Sequence, residues 1–217
     1  MRLSIRAIHK YLSFFISLQL LLWTVSGIYF AFNKIELIRG EQYRIYPAFD
    51  VQLQEFNFDV SSAWRFRIIN RLGENVVVVK DAKGTHYLDK NGVELLKLGP
   101  EQAKEIVHHS TNLTPLRVVE ISKEKTGSEY RGKALPLYQV VADDGEGSEI
   151  NVYIHAHSGE IVALRSPSWR IWDLMWGLHI MDWRERETID NLFLKFFSIL
   201  AFISSLTGVI LFFRSRT

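Results

Sequence analysis

The chain has 217 residues, a formal net charge of +2 and no cysteine. The lack of cysteine excludes disulfide bonds, thiolate metal ligands, iron–sulfur clusters and haem attached through cysteine. The near-neutral charge, with no block of basic residues, excludes the electrostatic footprint of a nucleic-acid-binding protein.

The first predicted element is an apolar run without charges over residues 11–32, preceded by Arg2, Arg6 and Lys10. About twenty apolar residues are enough for a helix to cross the hydrocarbon core of a bilayer. The run ends in bulky Ile28-Tyr29-Phe30 instead of the small residues of a cleavage site. It therefore predicts a retained transmembrane helix and not a signal peptide, with residues 1–10 as a cytoplasmic N-terminus.

Residues 33–167 change to alternating patterns with turn residues, which predict an α+β domain with an antiparallel sheet and one main helix. The helix begins at Pro100 and ends near Ser110, because proline suits its first turn and Ala103, Ile106 and Val107 form an apolar stripe. A less regular strand pattern covers 57–69. The other predicted strands are 76–80, 86–88, 117–122, 135–142, 150–157 and 161–164.

A tryptophan-rich segment, 168–187, predicts an amphipathic helix lying at the membrane interface. Its aromatic residues recur at spacings of three and four, so that they share one helical face. An imidazole on that face needs a partner: His179 either hydrogen-bonds a headgroup or carbonyl, or ligates haem iron. The face comprises Trp169, Trp172, Trp176, His179 and Trp183.

A second apolar run, 192–213, predicts another transmembrane helix, and Arg214 and Arg216 follow it. The positive-inside rule places both termini, including residues 214–217, in the cytoplasm and the central domain outside. Both runs contain a hydroxyl residue followed by glycine, at Ser26-Gly27 and Thr207-Gly208. Small residues of this kind allow close packing of helices, within one chain or in a homodimer.

Three segments of the central region resemble the PepSY domain: Tyr-Leu-Asp-Lys-Asn-Gly at 87–92, Leu-Gly-Pro-Glu-Gln-Ala at 98–103, and the strand and turn at 152–162. In that family an aspartate usually precedes the last turn, where this chain has His155 or His157. The ends of the chain, with Ile8-His9-Lys10 before the first run and Leu206-Thr207-Gly208-Val209 in the last, resemble the PepSY-associated transmembrane family.

The second resemblance implies a protein of the bacterial inner membrane whose central domain is periplasmic. Larger members of that family have more helices, and some resemble or act as haem-bearing reductases in iron-siderophore uptake. The resemblance makes His9 and His179 candidate ligands of a b-type haem. The two residues are expected at opposite membrane faces, so each would need a symmetry mate or a partner protein. The alternative for His9 is a residue of the membrane edge that, beside Arg6 and Lys10, sets the topology.

His155 and His157 lie two apart on a predicted strand, so they point to one face and could chelate a divalent metal. The alternative is a solvated strand face, because tight metal sites usually take three or four protein ligands.

No hydrolase elbow, metalloprotease helix, phosphate-binding loop or dinucleotide fingerprint occurs in the sequence. We therefore expect a membrane-anchored accessory or interaction module without a catalytic site of its own. Its expected partners are the lipid bilayer and another membrane or periplasmic protein, or a second copy, but not nucleic acid. The alternative is a b-type haem electron carrier that serves a metal reductase.

Overall fold

The computed structural model describes residues 5–46 and 63–214, which form an α+β protein with an apolar helix at each end and antiparallel sheets between them. The chain divides into two compact units. Of the described residues, those within 1–35 and 170–217 form the helical unit, and those within 36–169 form the sheet unit.

Three helices build the helical unit: α1 (Ile5–Phe32), the C-terminal part of α4 (Pro167–Ile180) and α5 (Leu192–Arg214). Helices α1 and α5 are long and apolar enough to cross a membrane, with mean hydropathies of 1.7 and 2.3 over their most apolar windows. The two helices pack side by side, and the rings of Phe15 and Phe197 stack at 5.8 Å. Most other large apolar side chains of both helices are exposed, which is compatible with contact to lipid.

The loop after α4 folds back onto that helix. Met181 has a positive φ and ends the helix, and an Arg186 nitrogen then lies 2.7 Å from the buried carboxylate of Asp173. Gly177 makes room for this contact, because a Cβ there would lie 3.0 Å from the arginine Cγ.

The sheet unit opens with two short helical segments, α2 (Ile35–Ile38) and a 3₁₀ turn (Glu41–Tyr43). A three-stranded antiparallel sheet follows, in the order β1 (Arg65–Arg71), β2 (Glu74–Asp81) and β3 (Gly84–Leu88). Side chains alternate between the faces of a strand, so Ile69, Val76 and Val78 form a small buried cluster on one face.

The main core lies between α3 (Pro100–Ser110) and a four-stranded antiparallel sheet. Its strands, in spatial order, are β4 (Thr114–Ile121), β5 (Leu137–Asp143), β6 (Glu149–His155) and β7 (Ile161–Arg165). The apolar stripe of α3 packs on the inner face of this sheet, and the buried Tyr138 hydroxyl donates to the Leu98 carbonyl at 2.7 Å.

The structure corrects three expectations. The described strands form two sheets and not one, because β3 pairs with β2 and with no strand of the four-stranded sheet. Strand β6 ends at His155, and residues 156–158 form a turn, so His157 does not lie on the strand. Helix α4 ends at Ile180, so Trp183 does not share its face. Residues 57–62 of the irregular strand pattern lie outside the described residues, and 65–69 belong to β1.

Candidate functional site

Near the start of α1, His9 joins that helix to α5. Its Nδ1 lies 3.1 Å from the backbone oxygen of Ser204 and 3.0 Å from Oγ1 of Thr207. The neighbouring Ser13 hydroxyl is 2.7 Å from the Ser204 hydroxyl. This polar cluster ties the two helices together at one end of the helical unit.

The cluster also assigns the proton of His9. Three oxygens lie near Nδ1, those of Ser204, Thr207 and, at 3.4 Å, the Ser13 hydroxyl. The Ser204 carbonyl, which also accepts from the Thr207 hydroxyl at 2.9 Å, can only accept from the ring. Nδ1 therefore carries a proton, and in the neutral ring the lone pair is on Nε2. No described residue hydrogen-bonds to Nε2.

A second histidine contact lies further along α1, where α4 crosses it. Nδ1 of His179 is 2.7 Å from the buried Ser26 hydroxyl, which itself donates to the Leu22 carbonyl at 2.7 Å. The contact joins the Ser26 hydroxyl to Nδ1 and leaves Nε2 of His179 without a hydrogen-bond partner among the described residues. The indole of Trp23 donates to the His179 carbonyl at 2.7 Å, which fixes the backbone of α4 as well.

Aromatic rings surround His179. Phe30 of α1 lies 5.6 Å from the imidazole and also contacts Trp172 and Trp176, which stack on each other. The face predicted for α4 is therefore partly used for packing on α1. Trp169 belongs to the sheet unit, where the guanidinium of Arg165 lies over its ring at 4.2 Å from the centroid.

The two histidines do not share a site. His9 lies on α1 itself, and His179 contacts α1 at Ser26. At a rise of about 1.5 Å per residue, these two positions are about 25 Å apart along the helix. Each histidine contacts the hydroxyl of one hydroxyl–glycine pair: His9 contacts Thr207 of α5, and His179 contacts Ser26 of α1.

In the sheet unit, His155 and His157 remain neighbours although only the first is on a strand. Their ring centroids are 6.1 Å apart, and the ring of Tyr87 lies 5.8 Å and 5.4 Å from them. Within the described ranges, no group of three or more potential ligands could hold a metal ion. The pair remains a prediction of a metal site with two protein ligands.

The histidine pair lines a cleft between the two sheets. The cleft consists of two adjoining cavities of about 440 and 670 Å³, which share Thr85, Tyr87, Ala134 and His155. Two neighbouring rows of the three-stranded sheet form one wall. One row contains Arg65, Lys80 and Thr85, and the other contains Arg67, Val78 and Tyr87.

An ion pair closes one side of the cleft. Arg67 binds both carboxylate oxygens of Glu160, at 2.5 and 2.6 Å. Burial opposes ionisation of Glu160, but hydrogen bonds from Arg67 and Ser158 outweigh it and lower the pKa of the carboxyl group below its ordinary value. Glu160 is therefore ionised at neutral pH.

His155 is neutral in the same cleft. Burial, followed by repulsion from His157, lowers the pKa of its imidazole. The backbone N–H of Ser158 donates to Nδ1 at 3.2 Å, so the ring proton is on Nε2.

Comparison with known protein families, with curated proteins and with solved structures finds no match to this chain. The resemblance to PepSY proteins thus remains an inference from short motifs. Sequence reasoning missed Arg65, Lys80 and Tyr87 as cleft residues. The sequence feature that could have indicated them is the spacing of Arg65 and Arg67, which are two residues apart on β1 and therefore lie on one face of the strand.

Proposed function

We propose that this chain is a membrane-anchored accessory module of the bacterial inner membrane, whose PepSY-like sheet unit binds its partner outside the cytoplasm. The observation that carries the proposal is the pairing of α1 and α5, two apolar helices at opposite ends of the chain that pack on each other. A domain whose chain enters and leaves through such a pair is held at one membrane surface.

The direction of insertion follows from charge. Arg6 and Lys10 lie at the start of α1, and Arg214 ends α5. Cytoplasmic loops and termini carry an excess of such residues. Both termini are therefore cytoplasmic, and the sheet unit is periplasmic.

Single cysteine substitutions test this arrangement, since the native chain has no cysteine to interfere. Lys90→Cys places a thiol at an exposed position of the sheet unit, and Arg216→Cys places one near the C-terminus. In intact spheroplasts, a membrane-impermeant maleimide should label only the Lys90→Cys variant. Labelling of the Arg216→Cys variant alone would indicate the opposite topology and refute the proposal.

The accessory role has its own test. Mild crosslinking of native membranes, followed by purification of the tagged full chain, should yield a discrete adduct heavier than the monomer. Mass spectrometry then shows whether the adduct contains a second copy or another membrane or periplasmic protein. Recovery of the monomer alone would contradict an interaction role.

A second candidate, a b-type haem carrier, is favoured by the contacts of His9 and His179. Each ring contacts an oxygen of a helix through Nδ1, and its Nε2 has no hydrogen-bond partner among the described residues, an arrangement common in metal-ligating histidines. Each would hold the haem iron through Nε2, and a second protein ligand would come from another chain because positions 9 and 26 are about 25 Å apart along α1. A bound haem would supply one-electron transfer.

Absorption spectra separate the two functions. Full-length protein from haem-replete cells should be colourless if it is an accessory module. A Soret band that disappears in His179→Ala or His9→Ala would establish the second candidate. Ser17→Ala is a control because its hydroxyl is exposed and donates only within α1.

A further inference from the structure

The cleft in the sheet unit has an uneven charge distribution. Arg67 and Glu160 neutralise each other through two hydrogen bonds. Arg65 and Lys80 also line the cleft, yet no ion pair or side-chain hydrogen bond links them to any residue that the structure describes. Among the residues that the structure describes, the cleft therefore has two unpaired positive charges available to a ligand.

The positions of these two charges follow from strand register. Arg65 on β1 is directly opposite Lys80 on β2, and Thr85 on β3 is opposite Lys80 on its other side. Directly opposed side chains of antiparallel strands lie on one face with their Cβ atoms about 5 Å apart. Two cations and a hydroxyl are thus presented together, which is a suitable arrangement for one oxyanion.

The adjoining wall is aromatic and apolar. Tyr87 follows Thr85 by one alternation on β3, and the rings of His155 and His157 surround it. Because Nδ1 of His155 accepts from Ser158, its Nε2–H is a donor that no described residue uses. Val78 and Val162 add apolar surface to the same cavity.

We propose that this cleft binds a small aromatic molecule that bears a carboxylate or phosphate group, an inference that rests on the proposed binding role. Arg65, Lys80 and the Thr85 hydroxyl hold the oxyanion, and Tyr87 with the imidazole of His155 contacts the ring. The cavities have the size typical of small-molecule sites.

The test uses the full-length chain in nanodiscs of zwitterionic lipid, with binding measured by ligand-observed NMR and calorimetry. The probes are phenyl phosphate, benzoate, inorganic phosphate and benzyl alcohol. Phenyl phosphate or benzoate should bind about tenfold more tightly than inorganic phosphate, and benzyl alcohol should not bind, because the ring and the charge both contribute. Tighter binding of phenyl phosphate identifies a phosphate ligand, and tighter binding of benzoate a carboxylate ligand.

Variants locate the site. The double variant Arg65→Gln/Lys80→Gln should weaken binding by about tenfold or more, since both charges are lost. Lys83→Gln/Lys90→Gln removes two exposed lysines from turns of the same sheet and should leave binding unchanged. Tyr87→Leu should reduce binding of phenyl phosphate while inorganic phosphate, if it binds, is unaffected.

Two outcomes would overturn the inference: no binding of either aromatic anion at millimolar concentration, or equal weakening in both double variants. Nanodiscs expose both membrane faces, so these results do not depend on topology. A failure of the binding experiments leaves the labelling and crosslinking results valid. A failure of the labelling or crosslinking experiments leaves the binding results valid.

Discussion

The imidazole of His9 lies against the bare backbone of Gly208, where a Cβ atom would come within 3.1 Å of the ring carbon Cε1. The ring cannot move away without lengthening its hydrogen bonds to Ser204 and Thr207. The absence of a side chain at position 208 is thus a condition for the contact between α1 and α5.

Gly208→Ala should therefore destabilise the full-length protein, by about 1–3 kcal/mol for an overpacked contact. Gly27→Ala is the matched control, because it lies in the other long helix and a Cβ there meets nothing within 4 Å. Both changes bring the same gain in helix propensity, so their difference in thermal unfolding in detergent reports the clash. Equal melting temperatures would contradict the packing described.

Ser26→Ala should remove the partner of His179 and cost about 1 kcal/mol, as interhelical hydrogen bonds in membranes do. Thr24→Ala is the comparison, since that hydroxyl is exposed and donates only to Leu20 within α1. Denaturant unfolding in nanodiscs measures the change in the free energy of unfolding for both variants. A loss of similar size in the two variants would show that the His179 contact does not link the helices.

Gln19→Met should stabilise the helical unit by about 1 kcal/mol. The side chain of Gln19 is buried in α1, and its Nε2 has no hydrogen-bond partner among the described residues. Methionine fills a similar volume and leaves no unsatisfied donor. Leu18→Met, at an exposed position of the same helix, should not change the melting temperature. A destabilised Gln19→Met variant would indicate that the amide has a partner in the membrane.

Gly159→Ala should destabilise the sheet unit. Gly159 has a φ of +74°, and a Cβ there would lie 3.0 Å from Cδ1 of Ile106 in the core. Gly145→Ala is matched in backbone conformation, with a φ of +81°, but has open space around it. The left-handed conformation costs both variants about 1–2 kcal/mol. Crowding should cost Gly159→Ala about 1–3 kcal/mol more. Equal costs in urea unfolding would refute close packing of this turn.

The ion pair between Arg67 and Glu160 should make stability depend on acid pH. The folded-state pKa of Glu160 is lowered from an ordinary value of 4.5. The pair therefore contributes stability above about pH 4.5, and this contribution is lost as pH falls through the folded-state value. Both side chains are partly exposed, so solvent screening limits the effect to about 1 kcal/mol or less.

Glu160→Gln tests this dependence. The variant should be less stable than the native chain at pH 7, and the difference should disappear in acid. Glu124→Gln, at an exposed position, is the control and should show no such convergence. A difference that persists unchanged into acid would show that the carboxylate charge does not stabilise the fold.

The elements that depend on local pattern were predictable. The start of α3 at Pro100 and its apolar stripe follow from helix periodicity, and the apolar runs predict α1 and α5 to within a few residues at most ends. The end of β6 was not predictable from the sequence, because Ala156 and His157 continue the alternating pattern of the strand. Their backbone turns since the N–H of Gly159 donates to the carbonyl of His155.

The histidines show where sequence reasoning ends. The sequence alone determined that His9 and His179 lie at opposite ends of an apolar helix pair, because helix rise and hydrophobic length fix those positions. Only the tertiary structure decided which hydroxyl each ring contacts, and that Arg65, Lys80 and Tyr87 face a common cleft. Such contacts depend on helix rotation and on strand register between segments distant in sequence, which local periodicity does not encode.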